Sequence, residues 1–331
     1  MELLVINGAE VRRLLPMAAC MEAMEVALQQ LGRGEAQNPL RSANWLSEKR
    51  GILLAMPALT DEAMAIKVIT VMPGNHGTPY DSHMGAVILF DAQFGRPLAL
   101  MDATGITAIR TAAVSGVATR LLAREDAGDL AILGTGVQAR SHLQAMLEAR
   151  PLRRVRVWSR GGENREAYVQ WASDELDVDV EATESAQAAV TGADLICTTT
   201  AAAEPVLRGA WLSPGTHVNA VGASTATTRE LDSEAMAMLS HFVDRRESAL
   251  DESGDYLIPL REGVIGDDHV RAELGEVLLG TAQGRRSDDE ITLFNSLGLA
   301  VEDPASAQLI YREAQRLGLG TSVEFGESAG E

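Results

Sequence analysis

The stretch Asp129-Leu-Ala-Ile-Leu-Gly134-Thr-Gly136-Val-Gln-Ala139-Arg-Ser-His-Leu-Gln-Ala-Met-Leu-Glu148 constrains this chain more than any other. Leu130 to Leu133 is a short continuous apolar run, the pattern of a strand covered on both faces of a parallel sheet. From Val137 onward, Leu143, Met146 and Leu147 recur at helical spacing. The loop Gly134-Thr135-Gly136 therefore joins a strand end to a helix start, and G-x-G-x-x-A stands in the context that dinucleotide binding requires. Gly134 allows a tight turn, Gly136 lets a pyrophosphate approach the backbone, and Ala139 keeps helix and strand close. The unpaired N–H groups and the positive end of the helix then face the anion. As a bare string the motif is weak; its placement carries the reading.

Beyond that loop strands alternate with helices. Val155 to Trp158, Val178 to Ala182, Leu195 to Thr199, His217 to Val221 and His241 to Asp244 read as strands, with helical segments near 163–176, 184–190 and 231–239. This predicts an α/β fold with a Rossmann-type doubly wound parallel sheet. Residues 246–290 read as short helices and loops, Ile291 to Phe294 as a candidate strand, Pro304 to Leu317 as a closing helix, and Glu324 to Glu331 as a frayed tail.

The region before the loop has a different pattern. Residues 8–33 read as helical, stopped by Gly32 to Gly34. Short β-type runs follow at Trp45, Gly51 to Pro57, Met64 to Val71, Gly85 to Phe90 and Leu98 to Met101, predicting an antiparallel or mixed sheet. Gly105 to Leu122 is a helix rich in small residues, among them Ala108, Ala112, Ala113 and Gly116, which allow close packing between domains or at a subunit contact. Arg124 to Gly128 reads as a hinge.

At 331 residues there is room for two domains. A net charge of −19 repels phosphate backbones and anionic lipid, so nucleic acid and membrane surfaces are poor partners. Cys20 and Cys197 lie far apart without ligand-spaced neighbours, which points away from disulfides and metal sites and toward the reducing cytoplasm. Met1-Glu-Leu-Leu-Val-Ile has no basic n-region and no stretch approaches eighteen apolar residues without charge, so neither an export signal nor a membrane span is expected.

Cofactor choice turns on the end of the second strand, where an acidic residue would hold the ribose 2′-hydroxyl and a basic one a 2′-phosphate. Here the strand ends Trp158-Ser159-Arg160-Gly161, followed by Asn164 and Arg165, with no carboxylate before Glu163. This favours NADP(H), with NAD(H) as the alternative. Three cations stand in unusual places: Lys67 within an apolar run, Arg110 in the small-residue helix with no carboxylate near it in sequence, and Arg41 at the entry to the first β run. A buried lysine must reach solvent, lose its charge or meet an anion. Together the three suggest a carboxylate site. His83 is a candidate general acid or cofactor contact, set against a plain structural histidine.

These residues resemble the ornithine cyclodeaminase and mu-crystallin family, and the mu-crystallin (ketimine reductase) branch most. The matching blocks include the Lys67 strand, Ser82-His83, Ile109 to Ser115, Ile132 to Ala139, Asn219 to Ser224, Arg229 to Asp232, Glu252 to Asp255, Glu273 to Glu276 and Ser296 to Asp303. The resemblance implies a homodimer, with a substrate and dimerisation domain of residues 1–122 and 304–331 around an NAD(P)-binding domain of residues 123–303. It implies that Arg41, Lys67 and Arg110 bind a substrate carboxylate, and that Glu252 lines the pocket. Gly134, Thr135, Gly136, Val137, Gln138, Ser159, Arg160, Asn164, Thr200, Ala201, Val221 and Leu297 would bind the cofactor.

One position departs from the family pattern. Where cyclodeaminases carry an aspartate, this chain has Ser224, a poor base without a partner. The expected reaction is therefore NAD(P)H-dependent reduction of an α-imino carboxylate, such as Δ1-piperideine-2-carboxylate or Δ1-pyrroline-2-carboxylate. The acid clamp would turn C2 toward the nicotinamide, with Lys67 as a candidate proton donor. The rivals are an ornithine cyclodeaminase, an amino-acid dehydrogenase on the same fold, and a non-catalytic crystallin-like protein that binds NADP and a ligand.

Overall fold

The structure, a computed structural model, describes residues 1–75 and 77–326. Two compact units emerge: Met1–Arg110 with the segment from Leu299 onward, and Thr111–Gly298.

The first unit is built on one sheet. Strand β1 (Glu2–Ile6) leads into helix α1 (Gly8–Leu14), whose start is fixed by a capping box between Asn7 and Glu10. Helix α2 (Met17–Gly32) begins after Pro16, so the helix expected over 8–33 is two helices: proline has no N–H to continue the first. Strands β2 (Ala36–Gln37), β3 (Ser42–Trp45), β4 (Ile52–Thr60), β5 (Ala63–Val71), β6 (His83–Asp91) and β7 (Pro97–Asp102) follow. β1 pairs in parallel with β7 and the others pair antiparallel, so the sheet is mixed.

The last strand among the described residues, Thr321–Glu324, was not anticipated from sequence and pairs antiparallel with β1; only Glu324 of it falls within the frayed tail expected over Glu324 to Glu331. Phe325 N–H adds a bond to Met1 O at 2.9 Å; residues 327–331 of that expected tail lie outside the described residues.

One face of this sheet is covered by the closing helix, Glu302–Leu317, and by α2. Met56, Ala65, Ile69, Val87, Leu89 and Met101 are buried on it. The helix starts two residues before the expected Pro304, which sits in the first turn where its missing N–H costs nothing. That start brings Glu302 and Asp303 inside the helix, on its buried side.

The second unit holds eight parallel strands: β8 (Asp129–Leu133), β9 (Arg154–Trp158), β10 (Val180–Ala182), β11 (Leu195–Thr198), β12 (His217–Ala220), β13 (Ser240–Val243), β14 (Val270–Glu273) and β15 (Thr292–Asn295). Their order is β10-β9-β8-β11-β12-β15-β13-β14. The chain moves outward from β8 through β9 and β10, then crosses back to β11 on the other side of β8. The loop after β8 thus lies at the point where strand order reverses, the usual ligand position in an open α/β sheet. β14 lies in a segment read from sequence as helices and loops; four residues, two of them charged, give no clear alternation. The expected strand near Ile291 is β15, inserted between β12 and β13.

The small-residue helix α3 (Ala103–Leu122) spans the boundary between units. Its second half is buried, with Ser115 Oγ 2.9 Å from His142 Nε2 and Thr119 Oγ1 accepting from Asn219 Nδ2 at 3.0 Å. The two compact units divide at 110/111 and at 298/299. The expected hinge over Arg124 to Gly128 is pinned instead. Asp194 accepts from Arg124 Nη2 at 2.7 Å, from Gly128 N–H at 2.9 Å and from Asp129 N–H at 3.0 Å.

Candidate active site

In the second unit the loop after β8 passes into helix α4 (Val137–Ala149) with Gly136 as N-cap, and no side chain caps the first turn. Gly134 has φ +120, and a Cβ there would lie 2.7 Å from Thr199 Oγ1. A Cβ on Gly136 would meet nothing within 4 Å, so the space beside that backbone is open. An open glycine at an uncapped helix N-terminus fits a diphosphate. Thr135 and Gln138 are partly buried beside it and Val137 is exposed; buried Gln138 Oε1 has no partner among the described residues.

At the end of β9 the two arginines separate. Arg165, in helix α5 (Gly162–Leu176), donates to Ser159 O at 2.7 Å and pairs with Glu184 at 3.1 Å, so it braces the turn. Arg160 and Asn164 are exposed, and no hydrogen bond or ion pair engages Arg160 among the described residues.

The ends of β11 and β12 are held by a buried carboxylate that sequence reasoning missed. Glu230 accepts from Thr200 N–H and Thr200 Oγ1 at 2.6 Å each, from Gly222 N–H at 2.6 Å and from Thr198 Oγ1 at 2.8 Å. Its own N–H and that of Leu231 donate to Asp255 Oδ1 at 2.8 and 2.9 Å. Burial pushes both carboxyls up, Asp255 to about 7, with the Glu230 charge adding to the Asp255 shift. The pair fixes the backbone at Thr200, just before exposed Ala201 and near partly buried Val221. Helices α6 (Ala186–Val190), α7 (Ser233–Met238), α8 (Arg246–Glu252), α9 (Gly254–Arg261) and α10 (Leu274–Leu278) complete the unit. Leu297 presents backbone rather than side chain: it is 4% exposed and its N–H donates to Asp244 at 2.7 Å. Glu252 closes α8 and is partly buried.

In the first unit the charges meet on the covered face of the sheet. Lys67 stands opposite Met56 of β4 and Val87 of β6, and has no accessible surface. Both oxygens of Asp303 lie 3.1 Å from its Nζ. Arg110 is 4% exposed, with Nη1 2.5 Å from Glu302 and Nε 3.4 Å from Asp303. Glu302 also accepts Leu299 N–H at 3.1 Å. Of the fates open to a buried lysine, Lys67 therefore meets an anion, and the carboxylates missing near Arg110 in sequence arrive from 192 and 193 residues away. Burial pulls the Lys67 ammonium down most, Arg110 adds to this, and Asp303 and Glu302 oppose it, leaving it at about 8. Burial also raises the Glu302 carboxyl, against the pull of Arg110.

Arg41, partly buried, directly precedes Ser42, whose partner Ala55 adjoins Met56. Asn38 Oδ1, three residues earlier, accepts Val301 N–H at 2.8 Å and ties this segment to the start of the closing helix. His83 lies on the same sheet face as Lys67, farther along β6; it is exposed, with Nδ1 2.9 Å from Ser82 Oγ. Glu302 and Asp303 were not anticipated. The available signal was two adjacent carboxylates before a proline at a helix start, where negative charge is favoured.

A family model described as the ornithine cyclodeaminase/mu-crystallin family matches residues 1–317. The chain belongs to this family.

The mouse family member named ketimine reductase mu-crystallin is 43% identical over 293 residues, which cover 87% of this chain and 90% of that one. Thermococcus litoralis Delta(1)-pyrroline-2-carboxylate reductase, solved in complex with NADH and L-proline, is 40% identical with a TM-score of 0.94, covering 97% of this chain and 100% of that one. An archaeal alanine dehydrogenase dimer with bound NAD is 33% identical with a TM-score of 0.93, covering 98% and 100%.

Against this family background Ser224 matters most. It is exposed in the loop after β12 and, among the described residues, has no hydrogen-bond partner that would make it a base. Among the described residues no cluster of His, Cys, Asp or Glu could hold a metal, and no helix is long and apolar enough to cross a membrane.

Proposed function

We propose that this protein is an NAD(P)H-dependent ketimine reductase that converts a cyclic α-imino carboxylate, Δ1-pyrroline-2-carboxylate or Δ1-piperideine-2-carboxylate, to the amino acid. The observation that carries the reading is Ser224: without a carboxylate or a base partner there, nothing at that position takes a proton from a substrate amine. Reduction of a ready-made C=N bond needs less, namely a clamp for the acid, one hydride to C2 and one proton to nitrogen. The family relatives named as ketimine and pyrroline-2-carboxylate reductases support it, at 43% and 40% identity.

The bound nicotinamide supplies the hydride. Arg41 and Arg110 bind the substrate carboxylate, and Lys67 neutralises it. Lys67 donates a hydrogen bond to Asp303 Oδ1, and a further N–H is available to the acid or to the nitrogen. Lys67 is the first candidate proton source and His83 the second; Glu252 lines the pocket. Holding C2 in place for attack provides most of the rate. Gly134, Thr135, Gly136, Val137 and Gln138 cradle the diphosphate, Ser159, Arg160 and Asn164 the adenosine ribose, and Thr200, Ala201, Val221 and Leu297 the nicotinamide end. NADP(H) is the preferred cofactor, because Arg160 is unengaged where a 2′-phosphate would lie.

We also propose a homodimer, with the uncovered face of the first unit's sheet against a second copy. Leu53, Met64, Ile66, Val68, Ile88 and Leu100 make that face apolar and leave it only partly buried. The free cysteines fit a cytoplasmic location.

The test is consumption of NADPH and NADH with a panel of cyclic and linear imino acids, beside ornithine with NAD. Reduction of a cyclic ketimine is the expected result. Ammonia and proline from ornithine would establish a cyclodeaminase, and inertness toward every imine would leave a ligand-binding protein.

A further inference from the structure

The two cations assigned to the acid clamp converge on a single residue of the closing helix. Asp303 places one oxygen 3.1 Å from Lys67 Nζ and 3.4 Å from Arg110 Nε, and its other oxygen 3.1 Å from the same Nζ. It has no accessible surface. Two like charges brought together away from water repel, and a carboxylate between them removes that cost. We propose that Asp303 is the positioning residue of the substrate clamp: it keeps Lys67 charged and aims Lys67 and Arg110 at one point. This rests on the reading that Lys67 and Arg110 bind the substrate acid.

The surroundings leave little else for that role. Around Lys67 the closing helix contributes Asp303 and Glu302, α3 contributes Arg110, and the cross-strand neighbours Met56 and Val87 are apolar. From α2 the Cys20 thiol is 4.0 Å from Ser306 Oγ, and burial pushes it up to about 12, so it is neutral at working pH. Glu302 bonds Arg110 and a backbone N–H, not Lys67. With burial and Arg110 already drawing the Lys67 ammonium down to about 8, loss of the Asp303 charge would leave it neutral near pH 7.

The experiment is the pH dependence of KM for the imino acid in four enzymes. In wild type, affinity should fall as pH rises through about 8. Lys67→Arg, which does not titrate in that range, should lose this limb. Asp303→Asn should move the limb down by at least one pH unit, read as about a fivefold or greater rise in KM at pH 8. Asp303→Glu keeps the charge but changes the aim, so KM should rise severalfold while the limb stays within half a unit of wild type. An unmoved limb in Asp303→Asn overturns the proposal. Should that variant not fold, an Asp303→Glu enzyme with unchanged KM overturns it equally. Lys67→Met separates the two levels. If it leaves KM unchanged at every pH, the clamp reading itself is wrong; if it raises KM while Asp303→Asn leaves the limb in place, only the role of Asp303 falls.

Discussion

Arg110 donates to Glu302 across 2.5 Å, though 192 residues separate them and neither has more than 4% of its side chain exposed. The pair ties the first half of α3 to the start of the closing helix, and it makes the candidate clamp and the stability of this unit parts of one arrangement.

Removing Glu302 takes from the buried Arg110 its shortest ion pair and leaves the longer contact to Asp303. Glu302→Ala should therefore lower stability by about 3–5 kcal/mol. The double change Glu302→Leu with Arg110→Met should recover most of that loss while abolishing substrate binding. Denaturant unfolding measures the first effect and KM the second; equal stability of single and double variants would contradict the argument.

Gly134 and Gly136 differ in what a methyl group would meet. At Gly134 it would lie 2.7 Å from Thr199 Oγ1 in a backbone conformation with φ +120, so Gly134→Ala should lower the melting temperature. Gly136→Ala should melt like wild type, since nothing lies within 4 Å, yet bind NADPH at least tenfold more weakly. Fluorescence titration beside a melting curve checks both.

Arg160→Asp should raise KM for NADPH far more than for NADH, because a carboxylate repels the 2′-phosphate and can accept a 2′-hydroxyl. Steady-state kinetics with both cofactors decides it, and equal effects refute the assignment of Arg160.

Asp255 makes stability depend on pH in a definite direction. Its carboxyl is raised from 3.8 to about 7, so between those values the folded state holds a proton that the unfolded state has released. Its contribution therefore falls as pH rises from about 4 to about 7 and is least above that. Asp255→Asn keeps an oxygen for the Glu230 and Leu231 N–H groups and removes the titration. Relative to wild type it should gain stability from about pH 4 to about pH 7 and level off above that. Parallel unfolding curves for the two proteins across that range would exclude this role.

Ile88→Lys puts a charge on the uncovered sheet face without touching the packed one. If the proposed dimer uses this face, light scattering should show a dimer for wild type and a monomer for the variant; a dimer undisturbed by the change would move the interface elsewhere.

The local pattern of this chain was legible because each signal lies within a few residues. An apolar run, two glycines and a helical periodicity determine strand, turn and helix around Gly134, and Trp158-Ser159-Arg160 shows that the second strand ends without an acid. The apolar run around Lys67 and the small residues around Arg110 marked both cations as unusual. What balances them was not legible, because Glu302 and Asp303 lie more than 190 residues farther along, and only packing of the closing helix on the sheet brings them within 3.4 Å. The same holds for Glu230, which spans Thr198, Thr200 and Gly222 across two strands, and for β15, whose place between β12 and β13 no local signal encodes. Backbone conformation follows from neighbours in sequence; the partner of a buried charge is decided by which distant segments must share its low-dielectric surroundings.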